Sequence, residues 1–437
     1  MKFEKPDLQW LVLSVSALVF FLVGAGRVSR TSNDFVPVYT GARCLLHGCD
    51  PYQTSQLEQQ FFQGGGHPAE LPSWDIDVPV YPPSTFLVLS PLALLPYPAA
   101  RLLWFLLNAC LFITSAALIV SLCPRSHRWP ATALVSIVLA TSGILLVLGQ
   151  PGILAISLVI MGSYFFLRGR LLPLGALLLM LSLAVKPQIG GLIVLYLLLQ
   201  RIHWRYAFLA MAGALALLLS AGLILHQRPR SADWFSTLRT NLSATQSPGG
   251  SADPRPANQQ AIGDINLQAL TSIFSTDARR FNPIAYAIFV ALLATWISAL
   301  LRAHASPDIH FLAIAALSVL SLTPIYHRFY DTRLLLLSIP AVVIIFQKRR
   351  WLGAVIAVLT VLAVISVQYR VQDYLLQHAQ FESVLRNKLL FILLLRQQNL
   401  ELLILFCLYV VAMISMRVST APAMETYAAY QPAITLR

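Results

Sequence analysis

Between Gly152 and Gln200 the chain reads Gly152-ILAISLVIMGSYFFLRGRLLPLGALLLMLSLAVKPQIGGLIVLYLLL-Gln200. Three runs, 152–167, 171–185 and 188–200, are nearly continuous Leu, Ile, Val, Ala and Phe, and the charges between them are Arg168, Arg170 and Lys186. A membrane strand alternates apolar and polar residues over about ten positions. These runs do not alternate, so a β-barrel is excluded and the stretch reads as helices crossing lipid. The whole chain agrees: 57% of its 437 residues are hydrophobic and 11% charged, with a mean hydropathy of +0.70. A water-soluble globule is ruled out.

Comparable runs at 8–26, 98–122, 130–148, 206–225, 284–302, 309–325, 333–346, 351–369 and 399–416 complete the set. The expectation is an all-α, polytopic transmembrane bundle of about twelve helices, two of them (171–185 and 188–200) short for a span. The net charge of +13 does not point to nucleic acid. No basic stripe with interleaved aromatics is present, and basic residues in such proteins set topology and hold lipid head groups. With the amino terminus inside, the cytoplasmic junctions hold Arg125, Arg128, Arg168, Arg170, Arg201, Arg205, Arg302, Lys348, Arg349 and Arg350. The short outside junctions hold Lys186 and Arg328. This asymmetry predicts both termini in the cytoplasm of a multi-pass cell-membrane protein.

The first run follows Lys2 and Lys5 and ends in Gly24-Ala25-Gly26. It resembles a secretory signal but exceeds the usual length of one, so it reads as an uncleaved anchor. Residues 1–417 form the integral domain, with outward segments at 27–97, 226–283 and 370–398, and 418–437 read as a polar cytoplasmic tail. Pro82, Pro83, Pro91, Pro96 and Pro98 predict a re-entrant or interfacial segment. Cys44 and Cys49 share one loop; their spacing permits a bridge, if the loop faces an oxidising compartment, without specifying one.

Polar groups gather on one side. The cytoplasmic junctions are simple arginine anchors, whereas the outward ones carry mixed, pairable groups: Asn33-Asp34, Tyr81-Pro82-Pro83, Gln150-Pro151, Lys186-Pro187-Gln188, Asn258-Gln259-Gln260 and Tyr326-His327-Arg328-Phe329-Tyr330-Asp331. Ionisable groups at a bilayer boundary are expensive without partners, so this one-sidedness points to a site. Asp34 is a candidate general base, or simply the N-cap of a helix over 35–46. Lys186, Arg328 and His327 suit a lipid-linked phosphate, although single basic residues also snorkel to head groups and a lone histidine often only packs. Walker A, GxGxxG, HExxH and zinc spacings are absent, which argues against nucleotide chemistry.

The ordered pieces Asp34…Tyr39, Gly48-Cys49-Asp50-Pro51-Tyr52, Tyr81-Pro82-Pro83, Leu148-Gly149-Gln150, Leu183-Ala184-Val185-Lys186-Pro187-Gln188 and Arg201…Trp204-Arg205 resemble glycosyltransferase family 87. Echoes follow at Asn258-Gln259 and Thr323-Pro324-Ile325-Tyr326-His327. The resemblance implies a GT-C type fold and an enzyme that uses polyprenyl-phosphate mannose or a related donor at the outward face. It implies that Asp34 is the base and that Lys186 and His327 line the donor site, with Arg328, Gln188 and Gln150 beside them. Tyr39, Tyr81, Asn258 and Gln259 are candidates to support the site or meet the acceptor. Related families often carry two acidic residues after the first helix; Asn33-Asp34 has one, so no metal and no other cofactor is expected.

The chemistry this predicts is inverting transfer of a hexosyl residue, mannosyl by resemblance, to a lipid or glycan acceptor. A transporter or flippase of a lipid-linked saccharide is the alternative. It calls for polar residues through the helix middles, whereas these runs are apolar there.

Overall fold

A computed structural model describes residues 5–26, 34–70, 79–201, 203–303 and 306–415; the predicted tail at 418–437 and Asn33 lie outside them. Helix α1 spans Lys5–Ala25, and the segment between it and the next long helix carries α2 (Val36–His47), α3 (Thr54–Gln63) and α4 (Pro83–Ala93). Then come α5 (Tyr97–Leu122), α6 (Arg128–Thr141), α7 (Gly143–Leu148), α8 (Pro151–Arg168), α9 (Leu172–Val185), α10 (Pro187–Leu199) and α11 (Trp204–His226). The segment after α11 holds α12 (Trp234–Gln246), a 3-10 turn (Gln259–Gly263) and α13 (Leu267–Thr271). After α14 (Ala278–Arg302) and α15 (Pro307–Leu320), a 3-10 segment (Phe329–Ser338) leads into α16 (Ile339–Lys348). The remainder is α17 (Arg350–Ile365), α18 (Gln368–Gln377), α19 (Phe381–Arg386), α20 (Lys388–Leu395) and α21 (Gln397–Ser415).

The all-α bundle is as expected, and every predicted run contains helix, although 309–325 leaves it after Leu320 and 351–369 breaks after Ile365. Among the described residues, however, eight stretches are long and apolar enough to cross a bilayer, or nine if α17 and α18, bent by 49°, count as one. α4, α9, α10 and 308–320 are shorter apolar helices. The expected count of about twelve is near the total of long and short apolar helices, and the short ones fall below the length criterion where helices end at special residues. Lys186 and Pro187 separate α9 from α10, since a residue before proline is pushed out of the helical region; Lys186 sits at φ −149 and ψ 81.

One span, 125–148, is broken between α6 and α7, and a buried arginine explains the break. Arg333, 2% exposed, donates from Nε to the Ser142 hydroxyl at 3.2 Å and from Nη2 to the Thr141 carbonyl at 2.9 Å. A guanidinium among apolar helices needs such acceptors, and a helix interruption supplies them.

The expected loop helices are present: α2, α3 and α4 lie between α1 and α5, α12 and α13 between α11 and α14, and α18, α19 and α20 between α17 and α21. The proline-rich stretch forms α4, and its Ser84 and Thr85 hydroxyls donate to the Ala184 and Val185 carbonyls at 2.7 and 2.9 Å. They thereby cap the end of α9 immediately before Lys186. Cys44, in the last turns of α2, forms a disulfide with Cys49 just beyond it, across Gly48, which turns the chain at φ +79, a conformation glycine adopts without steric cost. Ile262, Ile273, Leu375, Phe381, Val384, Phe391 and Leu395 make a second apolar cluster apart from the main core. It joins the 259–263 turn to α18, α19 and α20.

Candidate active site at the helix ends

Three interruptions converge. At the first, Gly149 (φ +68) ends α7 and Pro151 starts α8, leaving Gln150 as its N-cap. The Gly149 carbonyl accepts from Trp104 Nε1 at 2.9 Å, and the Leu148 carbonyl accepts from the Asp34 N–H at 3.1 Å. The turn thus anchors both the helix break and the Asp34 backbone. Gln150 Nε2 donates to Asp34 Oδ2 at 2.7 Å and to the Tyr330 hydroxyl at 2.6 Å. Asp34 is not the N-cap of α2; that position is Phe35, whose ring stacks on Trp104 with centroids 5.1 Å apart.

The second interruption supplies Lys186. Its Nζ donates to both oxygens of Asp331, at 2.8 and 2.7 Å, and stands 5.9 Å from the Tyr330 ring centroid. The third is the start of the 3-10 segment. There Asp331 Oδ2 also meets His327 Nδ1 at 2.9 Å and accepts from the Arg328 N–H at 3.4 Å. Gly152 fits the pieces together, because a Cβ there would lie 2.8 Å from Asp331 Oδ1, 3.4 Å from Lys186 Nζ and 3.7 Å from Gln150 Oε1. Asp34, Gln150, Lys186 and His327 therefore share one contiguous cluster.

Arg328 extends it. Its guanidinium donates to the Tyr326 hydroxyl and, at 3.1 Å, to the Ser251 carbonyl, and its backbone bridges to Asp264. His327 is fully buried. Burial holds its pKa below the ordinary imidazole value even with the Asp331 carboxylate beside it, so the ring is neutral at pH 7. Burial likewise raises the Tyr326 phenol and pushes Asp264 up to about 7, against the lowering effect of Arg328 and Arg396.

The other sequence candidates sit elsewhere or serve the framework. Gln188, in the first turn of α10, neighbours Lys186 and is partly exposed. Tyr39 is 1% exposed, packs on Phe35 and Tyr97, and donates to the Leu95 carbonyl at 2.8 Å. The Tyr81 carbonyl accepts from the Tyr52 hydroxyl at 2.8 Å. Asn258 caps the 259–263 turn and donates to the Gly250 and Asp253 carbonyls, both at 2.9 Å. The Gln259 side chain is exposed, and its carbonyl accepts from Gln372 at 3.1 Å.

Sequence reasoning did not single out Asp331 or Tyr330, although both close the quoted Tyr326–Asp331 stretch, and a carboxylate four residues after a histidine was the available signal. It also missed Asp264. Among the described residues no group of three or more His, Cys, Asp or Glu side chains is arranged to hold a metal ion. What the cluster offers is a carboxylate oriented by an amide, next to an ammonium and a guanidinium: a proton acceptor beside groups that meet anionic charge.

The family model for glycosyltransferase family 87 matches residues 80–324, more than half of the chain. The chain belongs to glycosyltransferase family 87. No curated protein and no solved structure matches it. Within this membrane glycosyltransferase the matched region carries Gln150, Lys186 and Asp264, while Asp34, His327 and Arg328 flank it and are joined to it by the contacts above.

Proposed function

We propose that this glycosyltransferase moves a hexosyl residue, mannosyl in the first instance, from a polyprenyl-phosphate sugar to a lipid or glycan acceptor on the outward face of a cell membrane. Asp34 takes the proton of the acceptor hydroxyl as its oxygen bonds to the anomeric carbon. The carbon–oxygen bond to phosphate breaks, and its electron pair leaves with polyprenyl phosphate, inverting the centre. Gln150 orients Asp34 by its 2.7 Å hydrogen bond.

Charge that grows on the leaving phosphate is met by Arg328 and Lys186. An ammonium has three N–H groups; two of those on Lys186 face Asp331, so one is left for a phosphate oxygen without giving up the pair. From Lys186 downward α10 offers a stripe suited to a prenyl chain. Gly191, where an added Cβ would meet nothing within 4 Å, is followed by Leu195 and Leu199, 43% and 55% exposed, at helical spacing. The GT-C arrangement, with termini inside and site outside, is supported by the cation asymmetry and by the Cys44–Cys49 disulfide, which lies in the segment that also carries Asp34.

The observation that carries this reading is the single cluster of Asp34, Gln150, Lys186 and Arg328 at converging helix ends. It is tested by incubating detergent-purified protein with labelled polyprenyl-phosphate mannose, glucose or arabinose and a lipid extract. Release of polyprenyl phosphate with labelled product is the expected result; intact donor under all conditions is the result a flippase gives.

A further inference from the structure

Asp264 is left unused by this chemistry, and it is an unusual residue. It is fully buried, and neither carboxylate oxygen has a hydrogen-bond partner among the described residues. Its backbone is fixed: its N–H donates to the Ala261 carbonyl at 2.9 Å, it bridges to Arg328, and the next N–H, of Ile265, donates to the His327 carbonyl at 3.0 Å. Arg328 and Arg396 both lie within electrostatic range, yet neither forms an ion pair with it. Each is tied elsewhere, Arg328 to Tyr326 and Ser251 and Arg396 to the Ala261 and Pro254 carbonyls. Arg396 Nε is also buried without a partner.

A buried carboxylate and a buried guanidinium N–H, within electrostatic range of each other but each without a partner, are costly to a fold and call for an occupant. Two positive neighbours disfavour a metal ion, and the carboxylate disfavours an anion. A neutral polyol suits both, because its hydroxyls can donate to a carboxylate and accept from a guanidinium N–H. The location fits as well. Arg328, which meets the donor phosphate in the reading above, is the backbone partner of Asp264, and the Tyr326 hydroxyl lies within electrostatic range of both Asp264 and Asp34.

We propose that Asp264 is the sugar-binding acid of this site, accepting hydrogen bonds from ring hydroxyls of the donor hexose. The proposal rests on the glycosyl-transfer reading. Because the carboxylate is sealed, the proposal includes a shift of the Gln259–Gly263 turn to admit hydroxyls; Gln368 and Gln372 hold that turn through the Ile262 and Gln259 carbonyls at 2.8 and 3.1 Å.

The test combines purified wild type and Asp264→Asn with polyprenyl-phosphate mannose, glucose and arabinose, followed by deoxy analogues of the donor consumed. Loss of the responsible hydroxyl lowers wild-type kcat/KM about 10- to 100-fold, as expected for a hydrogen bond to a charged group. Asp264→Asn shows a comparable rise in KM with a smaller change in kcat, no longer discriminates against that analogue, and has a thermal midpoint equal to or above wild type. Unchanged KM and retained discrimination in the variant overturn the proposal. If Asp264→Asn does not fold, the wild-type series decides alone, and deoxy donors all as good as the parent overturn it. Failure of wild type to consume any donor overturns the glycosyl-transfer reading and this proposal with it.

Discussion

The ammonium of Lys186 grips both carboxylate oxygens of Asp331, at 2.8 and 2.7 Å, across 145 residues of chain. Asp331 is 1% exposed and the Lys186 side chain 14%, so the two partners are not equivalent. Removing the cation strands a buried carboxylate, which typically costs about 3–5 kcal/mol. Lys186→Met is therefore expected to lower the thermal midpoint sharply, and Asp331→Asn to lower it less, because the lysine can turn toward solvent. The double variant Lys186→Met with Asp331→Asn recovers much of the midpoint but no turnover. Midpoints that fall additively in the double variant would contradict the pairing.

Gly152 offers a finer test. Gly152 is the second residue of α8, where alanine would ordinarily be tolerated, but here its Cβ would stand 2.8 Å from Asp331 Oδ1. Gly152→Ala should displace that carboxylate and lower both midpoint and turnover, by about 10-fold or more in kcat/KM if positioning matters as usual in active sites. A variant at least as stable and as active as wild type would show that the cluster tolerates the shift.

The membrane bundle was legible because a continuous apolar run has one physical outcome in lipid, and Asp34, Gln150, Lys186 and His327 were legible because polar groups at apolar boundaries are conspicuous. Their partners were not. Asp34 reads locally as a cap, and the amide that captures it is Gln150, 116 residues away. Lys186 and Arg328 read as free cations until Asp331 and Tyr326 are seen beside them. Arg333 stands inside a run read as plain membrane helix, and its acceptors are at a break in another helix. These pairings depend on which helix ends meet, a property of the assembled bundle and not of any one segment.

Asp264 makes a pH prediction with a definite sign. Its carboxyl is raised from 3.8 to about 7 by burial, against the lowering by Arg328 and Arg396 and with a smaller raising by Asp253. A group raised on folding contributes stability that is fully present below its unfolded value and lost as pH rises through its folded value. Between pH 3.8 and about 7 the midpoint of Asp264→Asn minus that of wild type should therefore grow with pH. A difference that is flat or shrinks over that window would place the proton elsewhere.

The Cys44–Cys49 disulfide closes a loop of very few residues, so the chain-entropy argument gives it only about 2 kcal/mol. Cys44→Ser with Cys49→Ser is expected to lower the thermal midpoint by a few degrees and leave donor turnover within about twofold, since the pair touches the site only through the path of the chain. A large loss of activity at an unchanged midpoint would assign the bridge a role in holding Asp34.

The most direct measurement is the rate of polyprenyl-phosphate release from the labelled donor by wild type, Asp34→Asn and Asp34→Glu, with thermal midpoints taken on the same preparations. Asp34→Asn should lose about 10²- to 10⁴-fold, the usual worth of a general base, with Asp34→Glu between it and wild type and all three midpoints alike. Turnover by Asp34→Asn within a few-fold of wild type would contradict the account.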